Sequence, residues 1–245
     1  MHVTAICPTF RHPELLANSV ALWMMQDYPL EDRRLIILDD DPTFHRHGAA
    51  GWQLYPIAPR LPSISHKYNM LLDRAFDGQT DVIMVWEDDD IYLPGYVSAH
   101  VAALENAEYS KAEHVLSDYK KGQIIVEPAR GRFHSSMAFR SELIDRVGGW
   151  PDTRRADFDQ QLMSLLEENS AQTESPWDDS HPESIPFIYR WHSGAAHCQS
   201  TMKSPDDETW YDRAAEAYAK VPFVGTLAPR LDDFSKACVA RYEAK

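Results

Sequence analysis

Cysteine is scarce. The three in this chain, Cys7, Cys198 and Cys238, have no metal-ligand spacing, and an odd count suits a reducing compartment better than a disulfide framework. Long apolar runs are missing too, since no stretch approaches the ~18 residues needed to cross a bilayer. The opening MHVTAICPTF has no basic segment leading into an apolar one, so no signal peptide is expected and the chain reads as cytoplasmic. Positive charge is short as well. With 24 Lys and Arg against 38 Asp and Glu, the formal net charge of -14 argues against binding nucleic acid or anionic membrane through bulk electrostatics. Internal repeats, low-complexity segments and long linkers are absent, so nothing divides the chain into independent domains.

What is present is hydrophobic content of 44% over 245 residues, enough to fill one large α/β domain. Val3 to Cys7 is an apolar run stopped by Pro8, which predicts a buried strand. Pro13 suits a first helical position, and Leu16, Val20, Trp23 and Met24 repeat at helical spacing until Tyr28-Pro29. Leu35 to Leu38, Trp52 to Ile57 and Val82 to Trp86 predict further strands. After Ser65, the residues Tyr68, Leu71, Leu72, Ala75 and Phe76 mark one face of a helix. Strands alternating with helices imply βαβ units in a largely parallel, Rossmann-like sheet, with ligands bound beyond the carboxyl ends of its strands. Past Pro94 the pattern weakens. Helices are expected over Gly95 to Ala107, Phe158 to Leu166 and Asp206 to Lys220, and short strands at Val115-Leu116, Ile124 to Val126 and Phe187 to Trp191.

The segment VIMVWEDDDIYLP, residues 82 to 94, runs five apolar residues into four consecutive acids and then returns to apolar residues. Crowded carboxylates raise one another's pKa, so the cluster is either a solvated acidic loop or a cation site, and its place at a strand end favours the cation. Mg²⁺ and Mn²⁺ prefer oxygen ligands, and Mg²⁺ commonly takes one or two carboxylates with waters and phosphates completing its shell. A second predicted strand also ends in acids, Asp39-Asp40-Asp41, and the first ends in CPTFR. These three strand ends would meet in one crevice.

In order and spacing, CPTFRHPELL, LDDD, SHKYNMLLDRA, EDDDIYLPGYV and GGWPDTRRADFD resemble family 2 glycosyltransferases of the GT-A fold, over roughly residues 1 to 170. The resemblance implies an α/β GT-A domain spanning 1–245: a nucleotide-sugar half to about residue 94, an acceptor and catalytic half to about 200, and a helical extension beyond. It implies inverting transfer of a sugar from a nucleotide diphosphate sugar, usually a UDP-sugar, to a hydroxyl-bearing acceptor, with Mn²⁺ or Mg²⁺ as cofactor. By the same resemblance, Pro8, Thr9 and Arg11 lie against the nucleotide, Asp39 or Asp40 meets the base, and Lys67 and Asn69 stand near the diphosphate. A lysine there also makes independent sense as a phosphate partner. Asp89 aligns with the direct metal ligand and Asp88 with the ribose-side acid, while Glu87 and Asp90 support the metal. The first place of the family's DxD region is a glutamate here. Asp157 takes the place of the base that deprotonates the acceptor, with alanine where the family commonly has glutamate, and Asp159 is its near competitor. In YRWHSGAAHCQS, His197 resembles a late histidine of the metal or diphosphate site, with His192 a weaker candidate and Arg190 a phosphate or carboxylate partner.

Lys111 to Arg155 carries nine Lys or Arg against six Asp or Glu, so the acceptor-facing half is net positive within an acidic chain. An acceptor bearing phosphate fits that balance: a lipid-linked sugar, a nucleotide, or a modified base in DNA as the one route to nucleic acid. Two other classes stay open. A nucleotidyltransferase would release pyrophosphate, but the Gly-rich basic loop expected after its first strand is missing. A non-catalytic sugar-nucleotide-binding relative would tolerate the changed glutamate and alanine positions.

Overall fold

The computed structural model describes residues 1–40, 48–120, 123–153 and 157–190. In chain order the elements are β1 (Val3–Thr9), α1 (Pro13–Met24), β2 (Arg33–Asp39), β3 (Gly48–Ala49), β4 (Trp52–Pro56), α2 (Ile64–Ala75), β5 (Val82–Val85), β6 (Ile91–Tyr92) and α3 (Tyr96–Ala103). Then come β7 (Tyr109–Lys111), β8 (His114–Lys120), β9 (Gln123–Pro128), β10 (Met137–Arg140), α4 (Ser141–Val147), α5 (Phe158–Asn169), β11 (Thr173–Glu174) and β12 (Phe187–Arg190).

Eight strands form the main sheet in the order β11-β7-β10-β5-β1-β2-β4-β3. Its centre, β5-β1-β2-β4, is parallel, as the alternation of strands and helices implies, whereas β10 runs antiparallel to both β5 and β7. Each central strand feeds both faces of the sheet. Ala5, Cys7, Leu35, Ile37, Val82 and Met84 enter one core, while Ile6, Ile36, Leu38, Ile83 and Val85 enter the other. That is the period of two expected of strands buried on both sides. α1 covers the first face with Leu16, Val20 and Trp23, and α2 covers the second with Tyr68, Leu71, Leu72 and Ala75. Helix α2 starts where Ser63 Oγ accepts the His66 N–H at 3.3 Å, satisfying one of the donors a helix N-terminus leaves open.

A second sheet, β6-β12-β8-β9, closes over the first core. The short strands expected at Val115-Leu116 and Ile124 to Val126 are its antiparallel pair β8 and β9. The expected helix after Pro94 is shorter at its carboxyl end and begins at Tyr96, just after Gly95, whose φ of 98° favours glycine at that turn. Strands β7 and β10 and helix α4 have no counterpart in the sequence reading. The expected helix over 206–220 and residues Asp41, Trp191, His192 and His197 lie outside the described residues.

Candidate active site

Because β1, β2, β4 and β5 are parallel, the segments after Thr9, Asp39, Pro56 and Val85 all leave the sheet at one edge. The acid segment turns there. Trp86 and Tyr92 stack across its base at 3.7 Å between ring centres, and the Tyr92 hydroxyl accepts the Glu87 N–H at 2.7 Å. Trp86 also donates its indole N–H to Ser19 Oγ at 2.7 Å, which fixes the turn to α1. An apolar and aromatic clamp thus holds four adjacent carboxylates on one tight bend.

Glu87, Asp89 and Asp90 each bring one carboxylate oxygen within 4.8 Å of the others. Asp90 is buried and accepts from Ser135 Oγ at 2.5 Å and from the Arg190 N–H at 2.9 Å. Burial, then the charges of Asp89 and Glu87, push its carboxyl well above the ordinary range. Asp88 faces the other way, accepting from Thr9 Oγ1 at 2.5 Å with His12 Nδ1 at 3.5 Å. Burial raises its carboxyl too, and the Asp89 charge adds to the effect. An all-oxygen set of this kind suits a hard divalent cation.

The donor-side candidates divide. Thr9 and Asp88 are joined. Lys67 is buried and paired with Asp40, and it also donates to the Thr9 carbonyl at 2.8 Å. Asp40 in turn accepts the Leu61 N–H at 3.1 Å, tying down the segment after β4. Residues read from the sequence as base and diphosphate contacts are therefore each other's partners. Asn69 turns away from them to Trp150, accepting its N–H at 2.8 Å and donating to its carbonyl at 2.9 Å. Asp39 is buried at the end of β2, and Pro8 lies within β1. Arg11, at φ 57°, sits with its guanidinium 5.0 Å from the Phe10 ring centre, and Arg60 covers the same ring at 3.8 Å. Phe10 and Arg60 were not singled out in the sequence. The signal for Phe10 was its place between Thr9 and Arg11, at the end of the first strand.

Asp157 precedes the first residue of α5, and its carboxylate accepts from Gln161 Nε2 at 3.0 Å. Asp159 is the second residue of α5. Burial raises its carboxyl and the Glu87 charge adds to this, which places the start of α5 within electrostatic reach of the acid turn. Between the acid turn and Trp150 stands His134, which no sequence pattern marked. Its Nε2 accepts the Trp150 indole N–H at 2.9 Å, and its Nδ1 lies 3.4 Å from Glu87 Oε1. Tyr68 donates to the same Glu87 oxygen at 3.1 Å and stacks on Trp150 at 4.6 Å.

No family model and no curated protein matches this sequence. Solved structures do. S. aureus TarS 1–349 in complex with UDP-GlcNAc superposes with a TM-score of 0.64 at 14% identity, over 100% of this chain and 73% of that one. Another structure of TarS 1–349 gives 0.61 at 13%, over 78% of this chain, which spans 60% of that one's length. The mannosyltransferase PcManGT from Pyrobaculum calidifontis, in complex with GDP-Man and Mn²⁺, gives 0.60 at 15%, over 99% and 75%. At such identities the likeness is one of fold: a mixed α/β domain with a large central sheet flanked by helices, the GT-A architecture.

Proposed function

We propose that this chain is a metal-dependent inverting glycosyltransferase that moves a sugar from a nucleotide diphosphate sugar, with UDP the expected nucleotide, to a hydroxyl acceptor. The observation that carries the reading is the Glu87–Asp89–Asp90 oxygen cluster at the carboxyl ends of the parallel strands in the centre of the main sheet. The fold neighbours support it, being bound to UDP-GlcNAc in one case and to GDP-Man with Mn²⁺ in another.

The cluster fits Mn²⁺ or Mg²⁺ by its donor set, and by carboxylates that burial leaves reluctant to ionise together without a counter-charge. Glu87, Asp89 and Asp90 would hold the ion. When bound, the ion would offset the negative charge of the diphosphate and of the departing nucleoside diphosphate. Asp88, set by Thr9, takes the ribose side, and Phe10 with Arg11 and Arg60 lies beside it as the surface for the nucleotide. Asp157 accepts the proton of the acceptor hydroxyl as that oxygen bonds to the anomeric carbon and the carbon–phosphate oxygen bond breaks. Attack from the face opposite the leaving group inverts the anomeric centre. Gln161 holds one oxygen of Asp157, fixing the orientation of the base.

The test is calorimetric titration with UDP, GDP, CDP and dTDP, each with and without Mn²⁺, on the wild type and Asp89→Ala. Micromolar binding of one nucleotide that needs both Mn²⁺ and Asp89 is the expected result and names the base. Absence of nucleotide binding under every condition would falsify the glycosyltransferase reading.

A further inference from the structure

His134 lies 47 residues beyond Glu87, yet the sheet brings them together. Strand β10 pairs antiparallel with β5, with Ala138 opposite Met84 and Phe139 opposite Ile83. Following β10 backwards from Ala138 therefore tracks β5 forwards past Val85. The residues just before β10 fall beside the acid turn, where Ser135 holds Asp90 and His134 meets Glu87.

The hydrogen-bonding roles of the imidazole follow from its neighbours. An indole N–H donates and has no lone pair to accept with, so His134 Nε2 must be the unprotonated nitrogen that receives the Trp150 proton. The ring proton then sits on Nδ1, which faces Glu87 Oε1. The side chain is 4% exposed, so water does not compete for these positions. Glu87 Oε1 thus lies under two protein donors, the Tyr68 hydroxyl and His134 Nδ1–H, which together fix the plane of its carboxylate. The other end of the relay is equally fixed. Trp150 stacks on Tyr68, and its backbone is clasped by both ends of the Asn69 amide.

We infer that His134 is a positioning residue: through Nδ1–H it holds Glu87 in the orientation that joins Asp89 and Asp90 around a divalent cation, and through Trp150 it ties that carboxylate to the acceptor-side segment leading to Asp157. Partners that orient a metal-binding group in this way carry a measurable share of the metal's affinity. The inference rests on the proposed function for the purpose of the ion, not for the contacts themselves.

Two isosteric variants separate the two nitrogens. In His134→Asn the amide nitrogen falls near the place of Nδ1 and keeps a donor toward Glu87. In His134→Gln the amide reaches the place of Nε2 and keeps only the contact to Trp150. The measurement is titration of the full chain with Mn²⁺ alone, reading free Mn²⁺ by electron paramagnetic resonance, with near-UV circular dichroism in EDTA as the check on folding. His134→Ala and His134→Gln are expected to bind Mn²⁺ about tenfold more weakly than the wild type, and His134→Asn within about threefold of it. A folded His134→Ala that binds like the wild type overturns this inference alone. So does a pattern in which Gln restores binding and Asn does not, or loss of the near-UV signal in all three variants, since His134 would then be a packing residue. A wild type that binds neither Mn²⁺ nor any nucleotide removes the glycosyltransferase reading itself, and the inference with it.

Discussion

Lys67 has a side chain only 5% exposed, and a buried ammonium is tolerable only with a partner. Asp40 supplies it, and the Thr9 carbonyl accepts a second hydrogen bond from the ammonium at 2.8 Å. Removing the cation alone leaves Asp40 as an uncompensated buried charge, so Lys67→Met is expected to cost about 3–5 kcal/mol in urea unfolding. A loss under about 1 kcal/mol would mean that water reaches Asp40 and the pair is not isolated. Asp40 stood out in the sequence at the end of an apolar run, and Lys67 through the family resemblance as a phosphate partner. Their pairing did not, because 27 residues separate them and nothing local encodes the contact. Asn69 repeats the lesson: its place in a helix was legible, although it lies in the middle of Ile64–Ala75 and not at its start, while its clasp on Trp150, 81 residues away, was not.

Strands buried on both faces announce themselves as unbroken apolar runs, which is why β1, β2 and β5 and the acid turn between β5 and β6 were readable from the chain. Met137–Arg140 is too short and too mixed to do so, and with β10 unread the neighbours of Glu87 were unread as well. The outer elements are held by polar contacts with no periodicity. Glu108, beside β7, accepts from Arg146 of α4 at 2.8 Å and from the Ala171 N–H ahead of β11 at 2.9 Å. These contacts, the Arg146 hydrogen bond foremost, hold its carboxyl at about 2 rather than the usual 4.5. A depressed pKa of this kind adds stability above the unfolded value, and the gain is lost as pH falls through the folded one. Glu108→Gln is therefore expected to unfold at lower urea than the wild type at neutral pH, by a small margin since the pair is exposed. The two midpoints should converge as pH drops from about 4.5 toward 2. A gap that stays constant over that range would assign the loss to packing rather than charge.

At the scale of the whole molecule, a chain of net charge -14 directs one bend of four acids to the edge of its sheet, where two cores and two sheets meet. Folding assembles Glu87, Asp89 and Asp90 within 4.8 Å, and unfolding disperses them, so a divalent cation has reason to bind the folded state alone. Linkage then makes cation binding a stability measurement: at about one hundred times Kd, the folded state should gain about 2.7 kcal/mol. Thermal unfolding with increasing Mn²⁺ is expected to show a rising midpoint in the wild type and almost none in Asp89→Ala. General screening of an acidic protein gives a different pattern, because sodium chloride at matched ionic strength relieves self-repulsion in both proteins alike. If Mn²⁺ raised both midpoints equally, the ion would be acting on net charge and the acid turn would not be its site. A rise confined to the wild type ties the stability of the fold to the same three carboxylates on which the proposed transfer depends.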